Sequence, residues 1–396
     1  MTTAMTATQL TIPRADGTLV SHSMHEARDF PKHPAPFTSR SVFAAPHVTA
    51  DIRKEYTPGA QPPVDWDATI RFRQHLFSYG IGVAEAMDTS ERGPGGLDWS
   101  QAKQLITLGS QAAKDAGAQI VSGAGTDQLT DPNPSLQAVV DAYLEQLDHV
   151  ESQGGSAVIR ASHALVAAAS NEDDYLWVYG QVLSQAKNPV IVHWLGTVFD
   201  PTLEGYWGHT DIPAAMEVVL RMARDNESKL RGIKFSLLDD ELEQHFRRQV
   251  PQSIRVFTGD DYGYTDLLLG DGEGPGFHHS HGLLGVLDPI APIASVGFAA
   301  LDSGDRATFK AELDSTIPLA VKMFEKPAAS YKVGVVFIAW LSGHQDHYRM
   351  VTGREGMRSL QHLTDLFVGT DALGLFPDPE LSAHRMRNFL AVNGVE

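Results

Sequence analysis

Short apolar runs alternate with longer amphipathic stretches along most of the chain. The runs are "RSVFAAPHV" (40–48), "IGVAEAM" (81–87), "AQIVSGAG" (118–125), "SAVIRAS" (156–162), "PVIVHWL" (189–195), "LRGIKFS" (230–236), "IRVFTGD" (254–260) and "HGLLGVL" (281–287). Each is short, continuously apolar and bounded by turn residues, which predicts strands buried on both faces. The stretches between them predict helices over 65–80, 98–117, 135–154, 172–187, 211–225, 238–250 and 262–270. The first of these has Asp65 at its start and Gly80 at its end, as helix start and stop signals require.

Parallel strands need crossover helices, and eight strand–helix units point to an α/β fold, a (β/α)8 TIM barrel over residues 40–304. Residues 1–39 read as an N-terminal extension, with a short hairpin over 9–21 closed by Asp16-Gly17. Residues 305–396 lack the strand–helix rhythm and predict appended C-terminal helices packed on the barrel. Within them "YKVGVVFIAWL" (331–341) is apolar enough to imitate a strand but is read as a buried helix.

Composition narrows the function by exclusion. The 396-residue chain has a formal charge of −18, which disfavours nucleic acid and anionic membrane as partners. It has no cysteine, so a disulfide framework, a thiol nucleophile and a Cys-ligated zinc are excluded. The N-terminus lacks a basic region followed by an apolar core, and no run approaches a membrane span. These features predict a cytoplasmic protein with a small-molecule substrate.

In a barrel of this kind chemistry belongs at the C-terminal ends of the strands. Lys234 lies near the end of the sixth run, inside an apolar sequence. It either reaches the rim or pairs with Asp239 or Asp240, or it is a buried nucleophile. In the last case burial favours the free amine, which forms a Schiff base with a carbonyl substrate.

The segment around it, "LRGIKFSLLDD", resembles the "VVGIKEASGD" stretch of the dihydrodipicolinate synthase and N-acetylneuraminate lyase family of Schiff-base aldolases. In the same order "AQIVSGAGTD" (118–127) resembles "VPVIAGVGSN", and "NPVIVHWLG" (188–196) resembles "LPVILYNVP". "VFTGDDYGYTDLLLG" (256–270) resembles "VLSGDDALALPLLALG", and "HGLLGVLDPIAP" (281–292) resembles "DGVISVTANVAP". The segment 366–390 is similar to the family's last helix region. The resemblance spans roughly residues 40–390 and identifies the chain as a divergent member.

That resemblance implies a lyase without cofactor or metal, assembled as a dimer or tetramer, with Lys234 as the imine-forming residue. His193 stands where the family has its proton-shuttling tyrosine, and histidine can carry the same protons. Asp88 and Thr89 fall on the family's carboxylate-binding threonine loop. Asp88 would repel a substrate carboxylate, which favours hydroxylated, sugar-derived keto compounds over a pyruvate-type substrate. Asp260 and Asp261 match an acidic pair that binds sugar hydroxyls in the neuraminate lyase branch, and either also suits loop capping. Gly285 replaces a family serine.

Three further residues are candidates on position alone. Glu85 either faces the barrel interior and binds a cation or is a structural acid. Arg160 either holds a substrate carboxylate or phosphate, or pairs with Glu85 or Asp88. His47 ends the first strand. Two alternatives stand beside the lyase reading: a metal-dependent barrel hydrolase or isomerase, suggested by the histidines of "HHSHG" (278–282) and "GHQDH" (343–347), and a barrel that binds a sugar without catalysis. Neither histidine group is placed like an inward-facing ligand set.

Overall fold

The computed structural model describes residues 8–57, 60–87, 91–93, 95–272 and 278–395. Strands β1 (Gln9–Pro13) and β2 (Leu19–Ser23) form an antiparallel hairpin. The barrel strands are β3 (Val42–Ala44), β4 (Gly82–Glu85), β5 (Ile120–Ala124), β6 (Ser156–Ile159), β7 (Val190–Leu195), β8 (Leu230–Ser236), β9 (Arg255–Thr258) and β10 (His281–Leu284). They close in sequence order, with β10 pairing β3, and every pair is parallel.

The barrel helices are α1 (Trp66–Phe77), α2 (Trp99–Ala116), α3 (Leu136–Ser152), α4 (His163–Ala168), α5 (Glu172–Gln185), α6 (Ile212–Asp225), α7 (Asp240–Arg247), α8 (Tyr264–Leu269) and α9 (Leu287–Asp302). Several start on a side-chain cap: Asp65, Asp98, Ser135, Asn171, Asp211 and Asp239 each accept a hydrogen bond from a first-turn amide. The short helix α4, held by Ser162, has too few residues to produce a helical period and escapes sequence reading. Helices α10 (Arg306–Phe324), α11 (Tyr331–Leu341), α12 (Leu360–Ala372) and α13 (Pro379–Val392) follow, so the apolar run 331–341 is a helix as expected. Among the described residues no helix is long and apolar enough to cross a membrane.

Most observed strands are shorter than the apolar runs, while β8 fills its run from Leu230 to Ser236. The first run contributes only Val42–Ala44 to the ladder, and its remainder turns into the loops of the C-terminal face. Side chains alternate inward and outward along each strand. Phe43, Ala84, Val121, Val158, Ile191, Phe257 and Leu283 meet inside with Met87 as an apolar plug, each under 5 % exposed. Residues two positions further along therefore also point inward, at the open end.

The same alternation decides between the two readings of Glu85. Ala84 is inward, so Glu85 points outward into the helix layer. There Arg73 of α1 grips it with two bonds, Nε to Oε2 at 3.0 Å and Nη2 to Oε1 at 2.8 Å, and both side chains are fully buried. Gly109 of α2 leaves the room, since a Cβ there would lie 2.4 Å from Glu85 Oε2. Glu85 is thus a structural acid tying β4 to α1.

Removing one member of such a pair strands the other as a buried charge. Arg73→Met is expected to lower unfolding free energy by about 3–5 kcal/mol, and Arg73→Met with Glu85→Leu by much less. Urea unfolding of the two variants checks this; equal destabilisation by both would show that packing, not the charge, dominates.

Candidate active site

His193 and Lys234 are register partners on β7 and β8, directly above Ile191 and Gly232. Partners on parallel strands point to the same face, so both enter the barrel mouth. His193 is 2 % and Lys234 8 % exposed. They line one narrow cavity with Ser236, Asp261 and Tyr331.

Two glycines make this possible. A Cβ on Gly259 would lie 2.9 Å from Lys234 Cε and 2.1 Å from Ser236 Oγ, so any larger residue would displace the lysine. A Cβ on Gly285 would lie 2.6 Å from Cε2 of the Tyr331 ring. Gly285, where the resembled family has serine, is the clearance for a tyrosine delivered by α11. That ring stacks on Phe324 at 4.4 Å. The neighbouring Lys332 is fully buried, donates to the Ala45 carbonyl and lies 3.8 Å from Asp288.

His193 Nε2 is 3.0 Å from Ser236 Oγ, and its buried Nδ1 has no hydrogen-bond partner among the described residues. Burial, then the charges of Lys234 and Arg160, hold the imidazole well below its usual pKa, so it is neutral at physiological pH. Asp261 accepts the Val286 N–H at 2.9 Å. Burial pushes its carboxyl up to about 7, against the Val286 amide and Lys234, so it can hold or release a proton near neutrality.

Other expected site residues are distributed differently. Asp260 is buried, but its Oδ1 accepts the amides of Tyr262 at 2.8 Å and Gly263 at 2.9 Å. It is a turn cap outside the lining of the Lys234 cavity, so the acidic pair divides its work. Asp88 and Thr89 lie outside the described residues. Arg160 enters the mouth from the end of β6 but pairs with Asp127, Nη1 to Oδ1 at 3.3 Å, and not with Glu85. His47 is buried with Nε2 2.7 Å from Gln345 Oε1, and burial lowers it to about 3. Ser236, Tyr331 and Lys332 were not expected. The alternation signals Ser236, two residues after Lys234; Tyr331 and Lys332 come from a remote helix whose docking has no local signature.

Three histidines of the metal alternative are engaged elsewhere. His281 Nδ1 accepts the Ser41 N–H at 2.9 Å, His347 Nε2 is 3.0 Å from the Ala50 carbonyl, and His344 packs on His75 at 4.2 Å. Among the described residues, one group has metal-ligand spacing. It is His22 and His25 with Asp371 at the hairpin–α12 junction, with Asp371 Oδ2 2.8 Å from each ring nitrogen.

A family model described as "Protein of unknown function (DUF993)" matches residues 10–395. No curated protein matches the sequence. Solved structures do match in shape. A protein assigned as a dihydrodipicolinate synthetase, from Pseudomonas aeruginosa, superposes with a TM-score of 0.61 at 14% identity, over 84% of this chain and 99% of that one. Dihydrodipicolinate synthase from Aquifex aeolicus gives 0.56 at 12% identity, over 90% and 98%. CdNal from Clostridium difficile, in complex with mannosamine, gives 0.55 at 14% identity, over 85% and 98%. At these identities the likeness establishes the shared barrel.

The Asp261 shift has a stability consequence of fixed sign. Its folded pKa of about 7 lies above the unfolded carboxyl value, so the folded state binds more protons between the two. Its contribution is fully present below the unfolded pKa and is lost as pH rises through about 7. Compared with Asp261→Asn, the wild type is expected to lose on the order of 2 kcal/mol between pH 5 and pH 7. Denaturant titrations of both proteins across that range test this; a pH-independent difference would mean Asp261 is ionised throughout.

Proposed function

We propose that this chain, which belongs to the family of unknown function DUF993, is a Schiff-base-forming lyase acting on a hydroxylated, sugar-derived keto compound. The observation that carries the reading is the pairing of Lys234 and His193 in register inside one cavity at the C-terminal mouth. The barrel likeness to dihydrodipicolinate synthases, and to a neighbour complexed with mannosamine, supports it.

In this reading the Lys234 amine adds to the ketone carbon. Two protons reach the former carbonyl oxygen, one of them from Asp261, and it leaves as water. The resulting iminium is an electron sink. His193 removes a proton from the hydroxyl on the β-carbon; the bond between the α- and β-carbons breaks, an aldehyde departs, and its bonding electrons form an enamine. Protonation of the enamine carbon and addition of water then free Lys234. Condensation is the reverse, and dehydration uses the same iminium with loss of a β-hydroxyl. A small-molecule substrate, the absence of a cofactor, a cytoplasmic location and a dimeric or tetrameric assembly belong to the same proposal.

Borohydride in the presence of dihydroxyacetone should fix the ligand on the peptide containing Lys234. Lys234→Arg should abolish labelling, because arginine stays protonated and cannot add to a carbonyl. His193→Phe should still trap an imine while turnover slows by about 10²–10⁴-fold. Undiminished labelling of Lys234→Arg would refute the assignment.

A further inference from the structure

We propose that Arg160 forms an anion-binding subsite beside the Lys234 cavity, so that the substrate carries a carboxylate or a phosphate as well as its keto group. The proposal rests on the Schiff-base reading for the identity of the substrate, but the subsite itself stands on separate geometry.

The register of the strands places it. Val158 pairs with Ile191, and Ile191 with Gly232. Two residues further along, Arg160, His193 and Lys234 form one inward-facing layer across three strands. The Arg160 amide still bonds to the Ala124 carbonyl at 2.8 Å, so the ladder extends to this residue. With strands about 4.8 Å apart, the Arg160 and Lys234 backbones are about 10 Å apart, and both long side chains face the same opening. The field of Arg160 reaches far enough to help depress the His193 imidazole.

The chain makes room for the guanidinium. A Cβ on Gly123 would lie 2.9 Å from Arg160 Cδ, and one on Gly125 would lie 3.1 Å from Nη1. The arginine therefore crosses two glycines of the neighbouring chain segment and enters an outer compartment. That compartment shares Leu195, Phe199 and Tyr331 with the inner cavity, so the two adjoin.

Comparison with Arg92 identifies which guanidinium is incomplete. Arg92 is fully engaged: Nε to Asp127 at 2.9 Å, Nη1 to the carbonyls of Ala86 and Gly123, and Nη2 to Gln146 Oε1 at 2.5 Å. Arg160 is only 5 % exposed, yet among the described residues its one ion-pair contact is the long 3.3 Å bond to Asp127. Its buried Nε has no hydrogen-bond partner among the described residues. Asp127 is thus one carboxylate shared by two guanidiniums. Glu91 lines the outer compartment, with Oε1 accepting the Val48 N–H at 3.1 Å, and Asp200 is turned to His163 at 2.7 Å. A buried, partly compensated arginine is completed by an anion that takes two of its N–H groups, the geometry that carboxylates and phosphates share.

The test has two arms. In the first, inorganic phosphate and malonate are titrated calorimetrically into wild type, Arg160→Gln and Arg160→Lys. Wild type should bind one of them at least about tenfold more tightly than Arg160→Gln, with Arg160→Lys between, and the preferred ion separates phosphate from carboxylate as the natural group. In the second, borohydride trapping is compared for dihydroxyacetone, hydroxypyruvate and dihydroxyacetone phosphate. One anionic probe should half-saturate wild type at a concentration at least about tenfold lower than dihydroxyacetone, and that ratio should collapse to within about threefold in Arg160→Gln. Efficient trapping with no anion preference, or a preference that survives Arg160→Gln, overturns the subsite and leaves the imine reading standing. Arg160-dependent anion binding without trapping of any carbonyl overturns the imine reading and leaves the subsite standing. If Arg160→Gln does not fold, a wild-type ratio retained in full by Arg160→Lys also counts against the subsite, since a lysine cannot reproduce the two-pronged contact.

Discussion

The inside of the barrel is filled by one apolar plug, and everything at the mouth follows from it. Phe43, Met87, Phe257 and Leu283 with their smaller neighbours leave no room for a polar group at mid-height. Closure with a two-residue side-chain period then places the inward polar residues of the C-terminal end above it. Arg160, His193, Lys234 and Ser236 come from adjacent strands and are each 8 % exposed or less. The His193 imidazole is held where water is scarce and cationic fields are strong, which lowers its proton affinity.

The barrel does not finish the site alone. Helix α11, far along the chain, brings Tyr331 to the cavity and buries Lys332 beneath it, and Gly285 leaves the space that the tyrosine ring fills. The narrowness of the Lys234 cavity is therefore set jointly by strand ends and by the C-terminal helices. Tyr331 and Phe199 line both this cavity and the compartment that holds Arg160.

Much of this was legible in the sequence, for physical reasons. Parallel strands buried on both faces appear as continuous apolar runs, so the eight strands and their order could be read directly. A lysine inside one such run conflicts with its surroundings, and it pointed to the C-terminal mouth, where the structure places it beside His193. The same continuity hides which way a residue points: in "IGVAEAM" both faces are apolar, so nothing local indicates that Glu85 faces α1 and Arg73 rather than the interior. Arg160 was recognised as a buried charge, but its partner Asp127 lies on the next strand's loop and could not be chosen from spacing. Asp260 and Asp261 are adjacent and chemically identical, and only the turn geometry separates a cap from a cavity-lining acid. Tyr331 depends wholly on how a remote helix docks.

The central claim is that Lys234, rather than its fully buried neighbour Lys332, is the amine that bonds to substrate. A crystal structure of the protein reduced with cyanoborohydride in the presence of dihydroxyacetone tests it most directly. The account predicts continuous density from Lys234 Nζ to the ligand's former keto carbon, with His193 Nε2 within hydrogen-bond reach of the adduct. An unmodified Lys234 with the adduct on Lys332, or with the ligand bound outside the cavity, would contradict it.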